Sequence, residues 1–257
     1  MLYDRDKRFL EELSILVSRK IDYLLCFEKT FMSSIRSFTM GFLFSDTHYY
    51  SKHPKTIVRR SKEPYSLSSK FKHLHSIEEE CPACSINDYL TDFIMQREIE
   101  KGKTKYCEQS YYNTITYFSN SNEEARDIFA QYLEEFKEYI KTADLWLEPE
   151  KEEMDICEMI NAIRNAPAMF IIGGESLESM SMAIYGFCRR YPKAQAKMDR
   201  FQEYIDERYS DEFTKVWRWD KVIMYTVLND VGAVHEFLKL WDEFIKTDKS
   251  TVYTCLH

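Results

Sequence analysis

Apolar residues recur along most of the chain at intervals of three and four, the signature of helices that hide one face from water. From Asp4 onward, Leu10, Leu13, Val17, Leu24, Phe31, Ile35, Phe38 and Phe42 follow at such spacings or at seven, which predicts one amphipathic helix running to Gly41, straight or bent midway. Ser85 is a favoured cap for a helix whose Ile86, Tyr89, Leu90, Phe93 and Ile94 share a face, and Gly102 stands where such a helix would stop. Asn122, Glu123 and Glu124 form an acidic helix start, after which Ile128, Phe129, Tyr132, Leu133, Phe136, Tyr139 and Ile140 keep the 3.6 period. A further helix is expected from Pro149 to near Pro167, and others begin at Ser176, Pro192 and Ser210, the last carrying Phe213, Val216, Trp217 and Met224. After Gly232 a final helix places Val234, Phe237, Leu238, Trp241 and Ile245 in register, with a frayed tail from Asp248.

Two stretches break the period. Residues 45–69 mix Pro54, Pro64, Ser, His and Lys and read as a long loop, with room for a short strand at Thr56 to Arg59. Tyr106 to Phe118 stays open, because Thr114, Ile115, Thr116 and Tyr117 favour a strand while their neighbours favour helix. No unit recurs at fixed spacing, which excludes a helical repeat array. The expected fold is all-α, seven to nine helices in one compact assembly over 1–257, with a long basic loop and at most a minor strand. A subdivision would leave 1–104, with loop 45–72, as an N-terminal half and 105–257 as a C-terminal bundle.

Composition sharpens this. Aromatic residues make up 15% of the chain, so the core should be bulky, whereas only 6 Gly and 6 Pro leave little material for glycine-rich ligand loops. The 7 cysteines are an odd number, and charge begins at Asp4 where a secretory leader would be apolar, so reduced thiols in the cytoplasm are expected. No apolar run reaches the roughly 18 to 20 residues of a membrane helix.

The net charge of -8 disfavours a whole-chain attraction to phosphate backbones and suits a basic protein partner. It is unevenly spread. Between 123 and 158 thirteen carboxylates face four basic residues, so one side should project a negative potential that speeds docking of a basic surface. Glu134, Glu135, Glu138 and Asp144 are the expected steering charges, with Tyr111 and Tyr112 as exposed aromatic anchors. Between 52 and 72, by contrast, seven Lys or Arg meet only Glu63, and there Lys55, Arg59, Arg60 and Lys62 offer an alternative phosphate- or nucleic-acid-binding site.

His73, His75, Cys81 and Cys84 carry zinc-ligand chemistry, two imidazoles and two thiols within twelve residues. Only five residues separate the pairs, closer than a zinc finger uses, so the preferred reading has no cofactor. In that reading Pro82 and Ser85 shape the entry to the next helix and the cysteines pack as small hydrophobes. Phe170 to Ser176, reading FIIGGES, lacks the spaced glycines of a dinucleotide loop. Nor does the chain contain HExxH, GxSxG, a kinase set or an EF-hand loop. The functional expectation is a non-enzymatic acidic module that docks on a basic partner, as an inhibitor or immunity-type protein covers a nuclease or toxin. An enzyme with an unfamiliar helical pocket is the third class, because catalytic groups converge in space rather than in sequence.

Overall fold

The computed structural model describes residues 2–18, 31–46, 85–102, 111–145, 147, 149, 153–165, 176–209 and 217–248. In chain order they form α1 (Asp4–Ser18), α2 (Phe31–Phe42), α3 (Ile86–Glu100), α4 (Tyr111–Phe118), α5 (Asn122–Tyr139), α6 (Ile156–Asn165), α7 (Leu177–Arg190), α8 (Pro192–Arg208), α9 (Trp219–Val227) and α10 (Asp230–Thr247). Among the described residues no strand extends beyond an isolated bridge at Leu147, and no helix is long and apolar enough to cross a membrane. The all-α reading stands. Among the described residues there are ten helices, more than the seven to nine expected, because the first stripe is shared by two helices and α4, left open between strand and helix, is a helix.

Several expected boundaries move. Ser45 and Asp46 are helical and buried rather than the start of a loop, whereas 47–72, with the strand proposed at Thr56 to Arg59, lies outside the described residues. The helix expected from Pro149 begins at Ile156, where the Asp155 carboxylate accepts the Cys157 N–H at 2.8 Å and supplies the local cap. Of the helix expected from Ser210, residues 210–216 with Phe213 and Val216 lie outside the described residues. Trp217 precedes α9, whose N-cap is Arg218, and α10 begins before Gly232, with Asn229 accepting the Gly232 N–H at 2.7 Å.

The described residues fall into two compact units. The first takes 2–18, 31–36, 45–46 and 85–149; the second takes 37–44 and 153–248. In the first, α3, α4 and α5 pack on one another and α1 packs on α5. Ser85 and Asp88 exchange bonds in a capping box (2.8 and 3.2 Å), and Gly102, at a φ of 80°, ends the turn after α3 in a conformation glycine adopts without strain. Tyr111 to Phe118 resolves as helix because Tyr111, Tyr112 and Ile115 then bury together. Burial of each is worth about 1.5 to 3 kcal/mol, against a few tenths lost to poor helix propensity. The first N–H of α2, at Phe31, is capped by the Asn122 side chain at 3.0 Å.

The second unit is built around α7, of whose 14 residues twelve are buried. Part of α2 crosses it with no room for side chains: a Cβ on Gly41 would overlap the Ala183 carbonyl, and one on Gly186 the Phe38 carbonyl, both at well under 3.0 Å. Arg190, itself buried, donates to the Phe42 carbonyl at 3.0 Å and so closes the C-terminus of α2. Beyond α7, Phe201 of α8 lies 5.3 to 5.9 Å from the rings of Trp219, Phe237, Trp241 and Phe244, mostly edge to face, the preferred geometry for aromatic contacts.

Candidate functional site

In α5 the Ser121 side chain accepts the Glu124 N–H at 3.1 Å, fixing the helix start. Ala125, Phe129, Tyr132, Leu133 and Phe136 then turn inward. The register leaves Glu123, Asp127, Glu134 and Glu138 on the opposite face, all exposed. At 1.5 Å per residue the stripe runs about 22 Å along one rigid element. Cations of the same chain attend it: Arg126 to Asp127 at 3.0 Å, and Lys137 to Glu134 and Lys141 to Glu138 at 2.6 Å. Such exposed pairs are worth about 0 to 1 kcal/mol, so the cations can swing away when another charge approaches.

The expected steering residues divide on this geometry. Glu134 and Glu138 belong to the stripe and Asp144 is exposed beyond the helix end, whereas Glu135 turns aside, half-buried, toward Arg97 at 3.7 Å. Glu123 and Asp127, which the sequence reading did not single out, complete the row; their spacing of four was the available signal.

Tyr111 and Tyr112 are not surface anchors. Both rings are buried, Tyr111 stacks on Phe129 at 5.7 Å, and each hydroxyl donates to the Asn87 side-chain oxygen at 3.3 Å. Aromatic size, which suggested an interface, serves the core instead, and Tyr117 is the exposed ring of that cluster. Lys55, Arg59, Arg60, Lys62, His73, His75, Cys81 and Cys84 lie outside the described residues. Among the described residues no three metal-ligating side chains converge.

The second unit contains a cleft of about 260 Å³ between α7, α8 and the start of α9, with Ser181, Asp199, Gln202 and Arg218 on its polar wall. Its polar groups are engaged with protein partners. Arg218 grips Asp220 with two bonds of 2.5 and 2.6 Å, and Gln202 accepts the Trp219 N–H at 2.6 Å while donating to the Trp217 carbonyl at 3.1 Å. Burial, aided by the Asp199 carboxylate, pushes the Cys188 thiol up to about 12, so it stays protonated and a poor nucleophile. These residues come from three helices and form no motif, which is why the sequence did not mark them.

Three further polar clusters are buried or partly buried. In the first unit Arg5 pairs with Asp6 at 2.9 Å and Asp46 at 3.5 Å, and desolvation raises the Asp6 carboxyl above its ordinary value despite the guanidinium. Tyr132 donates to the buried Glu98, while Lys101 donates to the Tyr132 oxygen at 2.5 Å; burial first, and the Glu98 bond second, push the Tyr132 hydroxyl far up. In the second unit the Lys197 ammonium is held by both oxygens of Asp155 at 3.1 Å and lies 3.5 Å from the Cys157 sulfur. Burial opposes ionisation of Asp155, but the Cys157 N–H and Lys197 outweigh it and hold the carboxyl below its ordinary value. Comparison of the chain with protein-family models, with curated proteins and with solved structures finds no match in any of the three.

Proposed function

We propose that this chain is a non-enzymatic, acidic protein-binding module that acts in the cytoplasm and docks on a basic protein, covering a surface that would otherwise hold phosphate, as an inhibitor of a nuclease or toxin would. The observation that carries the reading is the outward row of Glu123, Asp127, Glu134 and Glu138 on α5. Seven carboxylates against three cations between 122 and 145 keep that side negative even with every local pair formed. A rigid row of anions spaced along a helix steers a basic partner and fixes its orientation, and acts chiefly on the association rate.

Immobilised full-length protein, mixed at low salt with extract of its own cell, tests this against the variant Glu123→Gln/Asp127→Asn/Glu134→Gln/Glu138→Gln. The substitutions are exposed and should leave stability within about 0.5 kcal/mol. The expected result is a basic protein retained by the wild type, released by about 0.3 M salt, and not retained by the variant. Retention of no basic protein, or equal retention by both forms, refutes the reading.

A further inference from the structure

We propose that Cys157 and Lys197 form a peroxide-responsive crosslinking site, at which hydrogen peroxide joins the two side chains through a sulfur–nitrogen bond and staples the start of α6 to α8. The two reacting atoms are already 3.5 Å apart, close to van der Waals contact, and both side chains are buried. Asp155 organises the pair. One of its oxygens accepts the Cys157 backbone N–H at 2.8 Å, and both accept from Lys197 at 3.1 Å, so one carboxylate holds the Cys157 backbone and the Lys197 amine together. That carboxylate is partly open to solvent, its side chain 30% exposed, and gives an approach for an oxidant little larger than water. Cys157 is in no disulfide.

The chemistry balances with one peroxide. The sulfur attacks a peroxide oxygen, the O–O bond breaks, and the departing hydroxide takes the thiol proton as water, leaving Cys157 as a sulfenic acid. Lys197 loses one proton to solvent, and its neutral amine attacks the sulfur. The S–O bond breaks, and the second hydroxide leaves as water with another amine proton. Sulfur is oxidised by two electrons and peroxide is reduced to two waters; two molecules of a thiol reductant, themselves joined as a disulfide, restore thiol and amine. Cys188 is an internal control, because the charged groups that act on it among the described residues are Asp199 and Arg189, neither of them an amine.

Full-length protein is treated with hydrogen peroxide, its remaining thiols are alkylated, and the digest is sequenced by mass spectrometry with and without dithiothreitol. The expected product is a peptide containing Cys157 joined to one containing Lys197, lighter than their sum by two hydrogens, uncut by trypsin after Lys197, and separated by dithiothreitol. Lys197→Arg keeps the charge opposite Asp155 and so keeps the fold, yet should give no crosslink and leave Cys157 to proceed to its sulfinic acid. The melting temperature of the peroxide-treated wild type should exceed that of the treated Lys197→Arg protein by several degrees, as expected for a covalent clip. Recovery of wild-type Cys157 as thiol, sulfenic or sulfinic acid with Lys197 unmodified, under peroxide that oxidises surface methionines, overturns the proposal.

Discussion

The two units solve the same problem, burying helical stripes, with different contacts, although the second too buries charge at Arg190, Lys197 and Asp220. In the second, α2 and α7 approach backbone to backbone at Gly41 and Gly186, and aromatic rings close round Phe201. In the first, the interior admits charge: Arg5 with Asp6 and Asp46, and Glu98 beneath Tyr132. An apolar, close-packed interior is sensitive to volume, whereas a charged one is sensitive to the loss of a partner and to pH. The difference teaches that a hydrophobic stripe predicts that a helix is buried, but not what makes its burial specific.

That contrast can be broken by substitution, the largest effect first. Gly186→Val forces a side chain into the Phe38 carbonyl, and we expect a loss above about 4 kcal/mol, seen in chemical denaturation as collapse of the second unit. Phe201→Ala removes a ring that contacts five others and should cost about 3 to 5 kcal/mol in the same measurement. If either cost proved below about 1 kcal/mol, the close-packed account of this unit would fail. In the first unit, Arg5→Met leaves two buried carboxylates facing each other and should cost about 3 kcal/mol. Asp6→Asn should then restore part of that loss in the double variant, a coupling that no volume effect produces.

Acid sharpens the comparison further, because the signs differ. Asp6 binds its proton more tightly folded than unfolded, so its ionisation opposes folding at neutral pH and this penalty fades as pH falls through its raised value. Asp155 binds its proton less tightly when folded; its contribution is present above the usual carboxylate range and is lost as pH falls through its lowered value. Denaturation followed from about pH 7 to about pH 3 should therefore show Asp155→Asn flattening the acid loss and Asp6→Asn steepening it. The smallest effect is at the α9–α10 corner. Leu228 adopts a φ of 62° and is 81% exposed, so Leu228→Gly relieves left-handed strain, loses little packing, and should stabilise by up to about 1 kcal/mol in thermal melts.

What the sequence revealed was local. Ser85 as a cap, Pro192 at a first turn, and the stripe from Ile128 to Phe136 act over a few turns at most, and each marked its helix. Two glycines misled as helix limits, because Gly41 and Gly232 lie within helices, Gly41 for close approach. The contacts that fix α2 join residues 91 and 148 positions apart, Phe31 to Asn122 and Phe42 to Arg190, and no window along the chain contains both ends. The candidate acidic face was half visible: charge density pointed to the region, but Glu123 and Asp127 joined the row, and Glu135 left it, only once the helix register was known. Tyr111 and Tyr112 were misplaced because a large ring is equally suited to a core and an interface, and burial alone decides between them.

The central functional claim is most directly tested by the association rate of the full-length protein with the basic partner it retains, followed by stopped flow as salt rises from about 0.02 to about 0.3 M. We expect that rate to fall by about tenfold or more for the wild type and to change little for the variant neutralised at Glu123, Asp127, Glu134 and Glu138. A rate indifferent to salt, or an equal salt dependence in both proteins, would contradict it.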